Sequence, residues 1–151
     1  MSCQNYRIIE MQNTAIGAVA NNAAMPFGQV TRRISTTTGS GVPFEITTSG
    51  ANTVQLTSKG YYKVLYNATV TVGGSGDIIL VLTANGTPVY SITHHATAAG
   101  NYNLTLPKEV RVFANCAANS TNCPMAIQII NAGQAITGGT SNLIIDSCVN
   151  G

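Results

Sequence analysis

GYYKVLYNATVTV, residues 60–72, concentrates three of the chain's six tyrosines in one short run. Taken at alternate positions it separates into two faces. Tyr62, Val64, Tyr66, Ala68, Val70 and Val72 fall on one side, and Tyr61, Lys63, Leu65, Asn67, Thr69 and Thr71 on the other. Successive side chains of a strand point to opposite faces of its sheet, so this pattern predicts a strand with one greasy face. Tyr62, Val64, Tyr66 and Val70 are expected inside a sandwich. The second face is only half polar, and Tyr61 and Leu65 on it need a second sheet or another chain to cover them. A register shift of one residue would exchange the two faces.

Outward from this run, strand-like segments recur at short intervals between Gly, Asn, Pro and Ser clusters, which is an all-β rhythm. The expected strands are Gly28 to Thr36, Val42 to Thr48, Thr53 to Ser58, Gly60 to Val72, Asp77 to Ala84, Pro88 to His94, Tyr102 to Leu106, Glu109 to Ala114, Met125 to Asn131 and Asn142 to Cys148. Asn85-Gly86 is a hairpin signal, because both central positions of that turn favour positive φ. GGSG at 73–76 reads as a mobile tip, and GQAITGGTSN at 133–142 as a longer flexible connection. Without a convincing helix between them, about ten antiparallel strands argue for a sandwich, jelly-roll or immunoglobulin-like. Residues 1–27 behave differently: Tyr6, Ile9, Ile16 and Val19 give a broken helical spacing that Gly17, Asn21-Asn22 and Pro26 weaken. This segment is expected to be an arm that acquires structure by docking, with a helix or strand packed on its own domain as the alternative. Residues 28–151 form the globular domain.

The bulk numbers narrow the function. A chain of 151 residues is long enough for one core. Its charged content is 8%, far below the ~25% of an ordinary soluble domain. A surface rich in Thr, Asn and Ser suits a particle largely covered by neighbours. Seven basic and five acidic residues are spread thinly, and Arg32-Arg33 is the only adjacent basic pair, so no stripe exists for nucleic acid to follow. No segment is long enough to span a bilayer. Glu10, Gln12 and Asn13 interrupt the apolar run a signal peptide needs, so folding and assembly are expected in a reducing cytoplasm.

Catalytic chemistry is not legible. The carboxylates Glu10, Glu45, Asp77, Glu109 and Asp146 stand singly, and no nucleophile or phosphate-loop motif appears. His94 and His95 are adjacent on a strand, so their rings point to opposite faces and do not share a metal. No metal, no cofactor and no enzymatic activity are expected. Among Cys3, Cys116, Cys123 and Cys148, free thiols are the first reading. A Cys116–Cys123 loop disulfide formed after release from the cell is the second, and zinc, lacking a C-x-x-C pair, the third.

Residues 43–146 resemble a known family. VPFEITTSGANTVQLTSKGYYKVLYNATV is followed in order by DIILVLTANGTPVYSI, PKEVRVFANC, PMAIQIINAGQ and SNLIIDS. A glycine leading an aromatic-rich strand and a later hairpin carrying NGT resemble the compact jelly roll of tumour necrosis factor and of the globular head of complement, in the short form found in phage and spore-surface proteins. PKEV replaces the family's usual turn before the antepenultimate strand. The resemblance implies a homotrimer with Tyr61, Lys63 and Leu65 at the subunit contact. Taken with the low charge, the missing signal peptide, the N-terminal arm and the lack of a catalytic set, it leads to the expectation of a structural virion protein of a tailed phage, a capsid decoration or head-fibre protein bound to the major capsid protein or another virion protein, with Tyr6, Ile9, Ile16 and Val19 in the anchoring arm. The alternative is a receptor- or glycan-binding tip of a fibre or surface appendage, its loops meeting a host-surface glycan with Tyr90 or Tyr102 as stacking platforms.

Overall fold

A computed structural model describes residues 5–35, 46–113 and 125–149. The proposed Cys116–Cys123 pair, Cys3, Glu45 and the start of the strand expected from Val42 lie outside the described residues. Among the described residues the elements are ten strands and no helix: β1 (Asn5–Asn13), β2 (Gln29–Ser35), β3 (Ile46–Thr48), β4 (Val54–Leu56), β5 (Gly60–Val72), β6 (Gly76–Ala84), β7 (Thr87–Ala96), β8 (Gly100–Val112), β9 (Met125–Asn131) and β10 (Ile136–Val149). They form two five-stranded sheets, β2-β1-β10-β5-β8 and β3-β4-β9-β6-β7. Every strand pairing is antiparallel. This is an all-β jelly-roll sandwich.

Residues 60–72 form β5, flanked by β10 and β8. Tyr62, Val64, Tyr66, Ala68, Val70 and Val72 are buried. They pack with Leu104 and Leu106 of β8 and Leu143 and Ile145 of β10 against Leu56, Ile78, Leu80, Leu82, Ile127 and Ile129 of the facing sheet. Each fully buried aliphatic side chain contributes about 1.5–3 kcal/mol. Phe27 meets the Tyr66 ring edge-on at 5.9 Å. Burial pushes the Tyr66 hydroxyl up to about 12, with the Ser141 side chain opposing the shift. The neutral phenol is therefore favoured in the folded chain, and that contribution is full below pH ~10, where an unfolded tyrosine titrates, and lost as pH rises toward 12. Chemical denaturation between pH 9 and 12 should show a fall in stability over that window which Tyr66→Phe reduces; an identical fall in the variant would assign it elsewhere.

Three expectations are corrected. The first is the arm. β1 is an interior strand, paired from Asn5↔Val149 to Asn13↔Ser141 with β10 and, on its other side, with β2. From β1 the chain crosses the top of the sandwich, with backbone hydrogen bonds Ile16 to Gly139, Val19 to Ile136 and Met25 to Ile129. Ile9, Ile16, Val19, Met25 and Phe27 are buried in the common core. Asn131 fixes this crossing: its buried amide donates to the Val19 and Gln134 carbonyls, and its Oδ1 accepts from Gly133 N. The weak helical spacing was misleading because Ile9 lies in a strand that ends at Asn13, whereas Ile16 and Val19 belong to irregular chain bonded to β10.

The second correction joins two expected strands. Tyr102 to Leu106 and Glu109 to Ala114 belong to one strand, β8, paired without interruption from Gly60↔Val112 to Val72↔Gly100. Pro107 does not break it because β8 is an edge strand, where a missing N–H is tolerated. The third extends β10 back to Ile136, so most of the expected flexible connection is strand, with an irregularity between Ile136 and Gly138.

Candidate functional site

The outward face of the β2-β1-β10-β5-β8 sheet is the surface that the sequence marked for covering, and cross-strand register divides it into two halves. In the half nearer the start of β5, Tyr61 lies opposite Arg111. Lys63 lies between Glu109 and Asp146, and Leu65 between Pro107 and Ile144. Tyr61 is 54% exposed although its ring is apolar, and Leu65 is half-buried. Two shallow grooves bracket these residues, one of about 510 Å3 along Leu65, Pro107 and Ile144 and one of about 350 Å3 beside Tyr61, Lys63 and Asp146.

Arg111 projects between two exposed rings, 5.2 Å from the centroid of Tyr61 and 4.7 Å from that of Phe113, which is 70% exposed. Such contacts orient a guanidinium without neutralising it. Beneath the surface Arg7 is fully buried and donates from Nη1 to the Tyr62 hydroxyl at 2.7 Å, which donates in turn to the Ser58 carbonyl. Burial lowers the Arg7 pKa, opposed by the Tyr62 oxygen. Ser147 Oγ donates to the Tyr61 carbonyl at 2.6 Å and fixes the start of β5.

The other half of the face is uncharged. Asn142, Asn67 and Thr105 form one row and Thr140, Thr69 and Asn103 the next. The Thr69 hydroxyl donates to Asn103 Oδ1 at 2.7 Å and that of Thr71 to Asn101 Oδ1 at 2.6 Å. Polar ladders of this kind match neighbouring strands side by side.

Tyr61, Lys63 and Leu65 therefore share one exposed patch, whereas Ile9, Ile16 and Val19 lie in the core and present no surface for docking. Tyr6 is half-buried in β1, opposite Cys148. The sequence reading missed Arg111, Ile144 and Phe113 as members of the patch. Period-two alternation along β8 and β10 carried that signal, but without the pairing there was no way to align those strands with β5. The residues proposed as stacking platforms are engaged: the Tyr102 ring lies 5.2 Å from that of His94 and its hydroxyl donates to Ala98 O, while Lys108 Nζ lies 5.6 Å above Tyr90. His95 Nδ1 and Asp77 Oδ1 are 2.8 Å apart on the exposed β6–β7 hairpin. Among the described residues no three His, Cys, Asp or Glu side chains gather as a metal site, and no helix is long and apolar enough to cross a membrane.

No protein-family model matches the chain, and no curated protein matches its sequence. Solved structures do match its fold. The globular domain of zebrafish complement 1qA protein superposes with a TM-score of 0.61 at 9% identity, over 95% of this chain and 98% of that one. Eiger TNF from S. frugiperda gives 0.63 at 9% identity, over 99% and 96%. The PRD1 vertex protein P5 gives 0.54 at 17% identity, over 99% and 100%. The fold is thus the TNF/C1q-like jelly roll.

Proposed function

We propose that this chain is a structural protein of a tailed-phage virion, a homotrimeric capsid decoration or head-fibre protein without enzymatic activity. The observation that carries the reading is the exposed half-face of Tyr61, Leu65, Pro107 and Ile144 on a chain with only 8% charged residues. Apolar and aromatic side chains gathered in one patch, with a polar rim beside them, have the composition of a protein–protein contact. Three copies that turn this face toward a three-fold axis each meet the neighbour's copy of it off-centre, so that different parts of the face come into contact. A place on a virus particle is supported by the full-length likeness to a vertex protein. The partner beneath the trimer is the major capsid protein or another virion protein. Attachment through a free arm is set aside, because residues 5–27 belong to the core.

Leu65→Asp tests the assembly. It places a carboxylate in the apolar contact, where an unpaired buried charge costs several kcal/mol. Sedimentation should show trimers for the native chain and, for the variant, monomers that still melt cooperatively, as the dilute native chain does. A variant that remains trimeric would remove the contact from this face. Imaging of particles then sorts the roles: many copies over the head fit decoration, whereas a few at a fibre end fit the receptor- or glycan-binding tip.

A further inference from the structure

We propose that the contact between copies is keyed by ion pairs, with Lys63 and Arg111 of one copy meeting Glu109 and Asp146 of the next; this rests on the trimeric reading above. The chain has only seven basic and five acidic residues, yet two of each stand on the β10-β5-β8 part of this half-face, with Glu10 and Arg32 opposite each other on β1 and β2 beside it. Lys63 is in register between Glu109 and Asp146, an arrangement that favours cross-strand attraction. Even so, the only ion pair among the described residues is that of His95 with Asp77, on the β6–β7 hairpin of the other sheet. Arg111 is held by two aromatic rings and by no carboxylate.

Covering Tyr61 and Leu65 also covers these four charges. Taking them out of water unpaired would cost several kcal/mol per ion and abolish the contact. Whatever covers the face must therefore bring charges of opposite sign to each of them. The patch holds two positive and two negative groups, so a strongly acidic or basic partner satisfies half of it and repels the rest. A second copy of the same surface, offset so that unlike groups meet, satisfies all four. The apolar grooves beside Leu65 and Tyr61 give the offset copy recesses for its own side chains.

Sedimentation over a concentration series, with Lys63→Glu, Glu109→Lys and the double variant, tests the pairing. Each single reversal should raise the concentration at which the trimer half-dissociates by about 100-fold or more, because like charges then face each other across the contact. The double variant exchanges the signs and should return to within about tenfold of the native chain. Raising salt from about 0.05 M to about 1 M should weaken the native trimer through screening. Melting of the dilute monomers should change only slightly, since a reversal also sets like charges opposite each other within the sheet, an effect of at most about 1 kcal/mol on an exposed face. Single variants that associate as tightly as the native chain, or that lower the monomer's melting temperature without touching association, overturn the ion-pair keying while the trimer stands. A native chain that is monomeric at every concentration overturns the trimeric reading itself.

Discussion

A chain lacking residues 1–27 is expected to be unfolded or insoluble, the largest effect the structure implies. Deletion removes β1 from between β2 and β10, so both lose a partner and two rows of backbone groups lie open. It also removes Ile9, Met11, Ile16, Val19, Met25 and Phe27 from the core. At about 1.5–3 kcal/mol for each buried side chain, the loss matches or exceeds the whole stability of an ordinary domain, about 5–15 kcal/mol. The newly exposed edges of β2 and β10 are templates for aggregation. Solubility, circular dichroism and thermal melting of the truncated chain provide the measurement. A soluble product with a cooperative melt within a few degrees of the full chain would mean that the segment is a separable arm after all.

The second large effect is expected from Gly139→Val. Gly139 has φ +141°, in the left-handed half of backbone space that β-branched residues avoid. A Cβ there would lie 2.1 Å from the Thr69 carbonyl oxygen and 3.0 Å from Val70 Cα, both backbone atoms of β5. Relief requires moving β10 away from β5, whose Ala68, Val70 and Val72 are buried in the core. The expected loss is above about 4 kcal/mol, at the extreme for a single substitution. Gly138→Ala is the internal control, since a Cβ at Gly138 meets nothing within 4 Å. Denaturant melts should separate the two variants widely; equal, small losses would show that β10 and β5 part here without cost.

Both effects arise where reading the amino acids alone went astray. Gly138-Gly139 looks like flexible punctuation in TGGT, but it is the point at which β10 presses its backbone on β5. The broken spacing of Ile9, Ile16 and Val19 fits neither a helix nor one strand. Beyond β1 the chain stays beside β10 at Ile16 and Val19, and only from Asn22 to Met25 does it bond to β9 of the other sheet. Pro107 suggested a boundary inside β8 because proline's missing N–H is costly only where a neighbour needs it, and strand order decides that.

The outward patch was visible only in part for a related reason. Tyr61, Lys63 and Leu65 follow from alternation within β5. Glu109 and Asp146 read as solitary carboxylates because they are far apart in the chain, and only the pairing of β8 and β10 with β5 sets them on either side of Lys63. Arg7 is a further case, a charge in the β1 sequence that the fold buries against Tyr62.

Amino-acid order alone was enough for the all-β class, the β6–β7 hairpin at Asn85-Gly86 and the division of β5 into a core side and an outer side. These are local matters: side-chain alternation and turn chemistry depend on neighbours along the chain. Tertiary structure alone decided that β1 is an interior strand, that the start of the chain seals the core, and that four scattered charges share one surface. Those depend on which distant strands pair, and pairing is settled by how two whole sheets bury their apolar faces together, a sum that no short stretch contains.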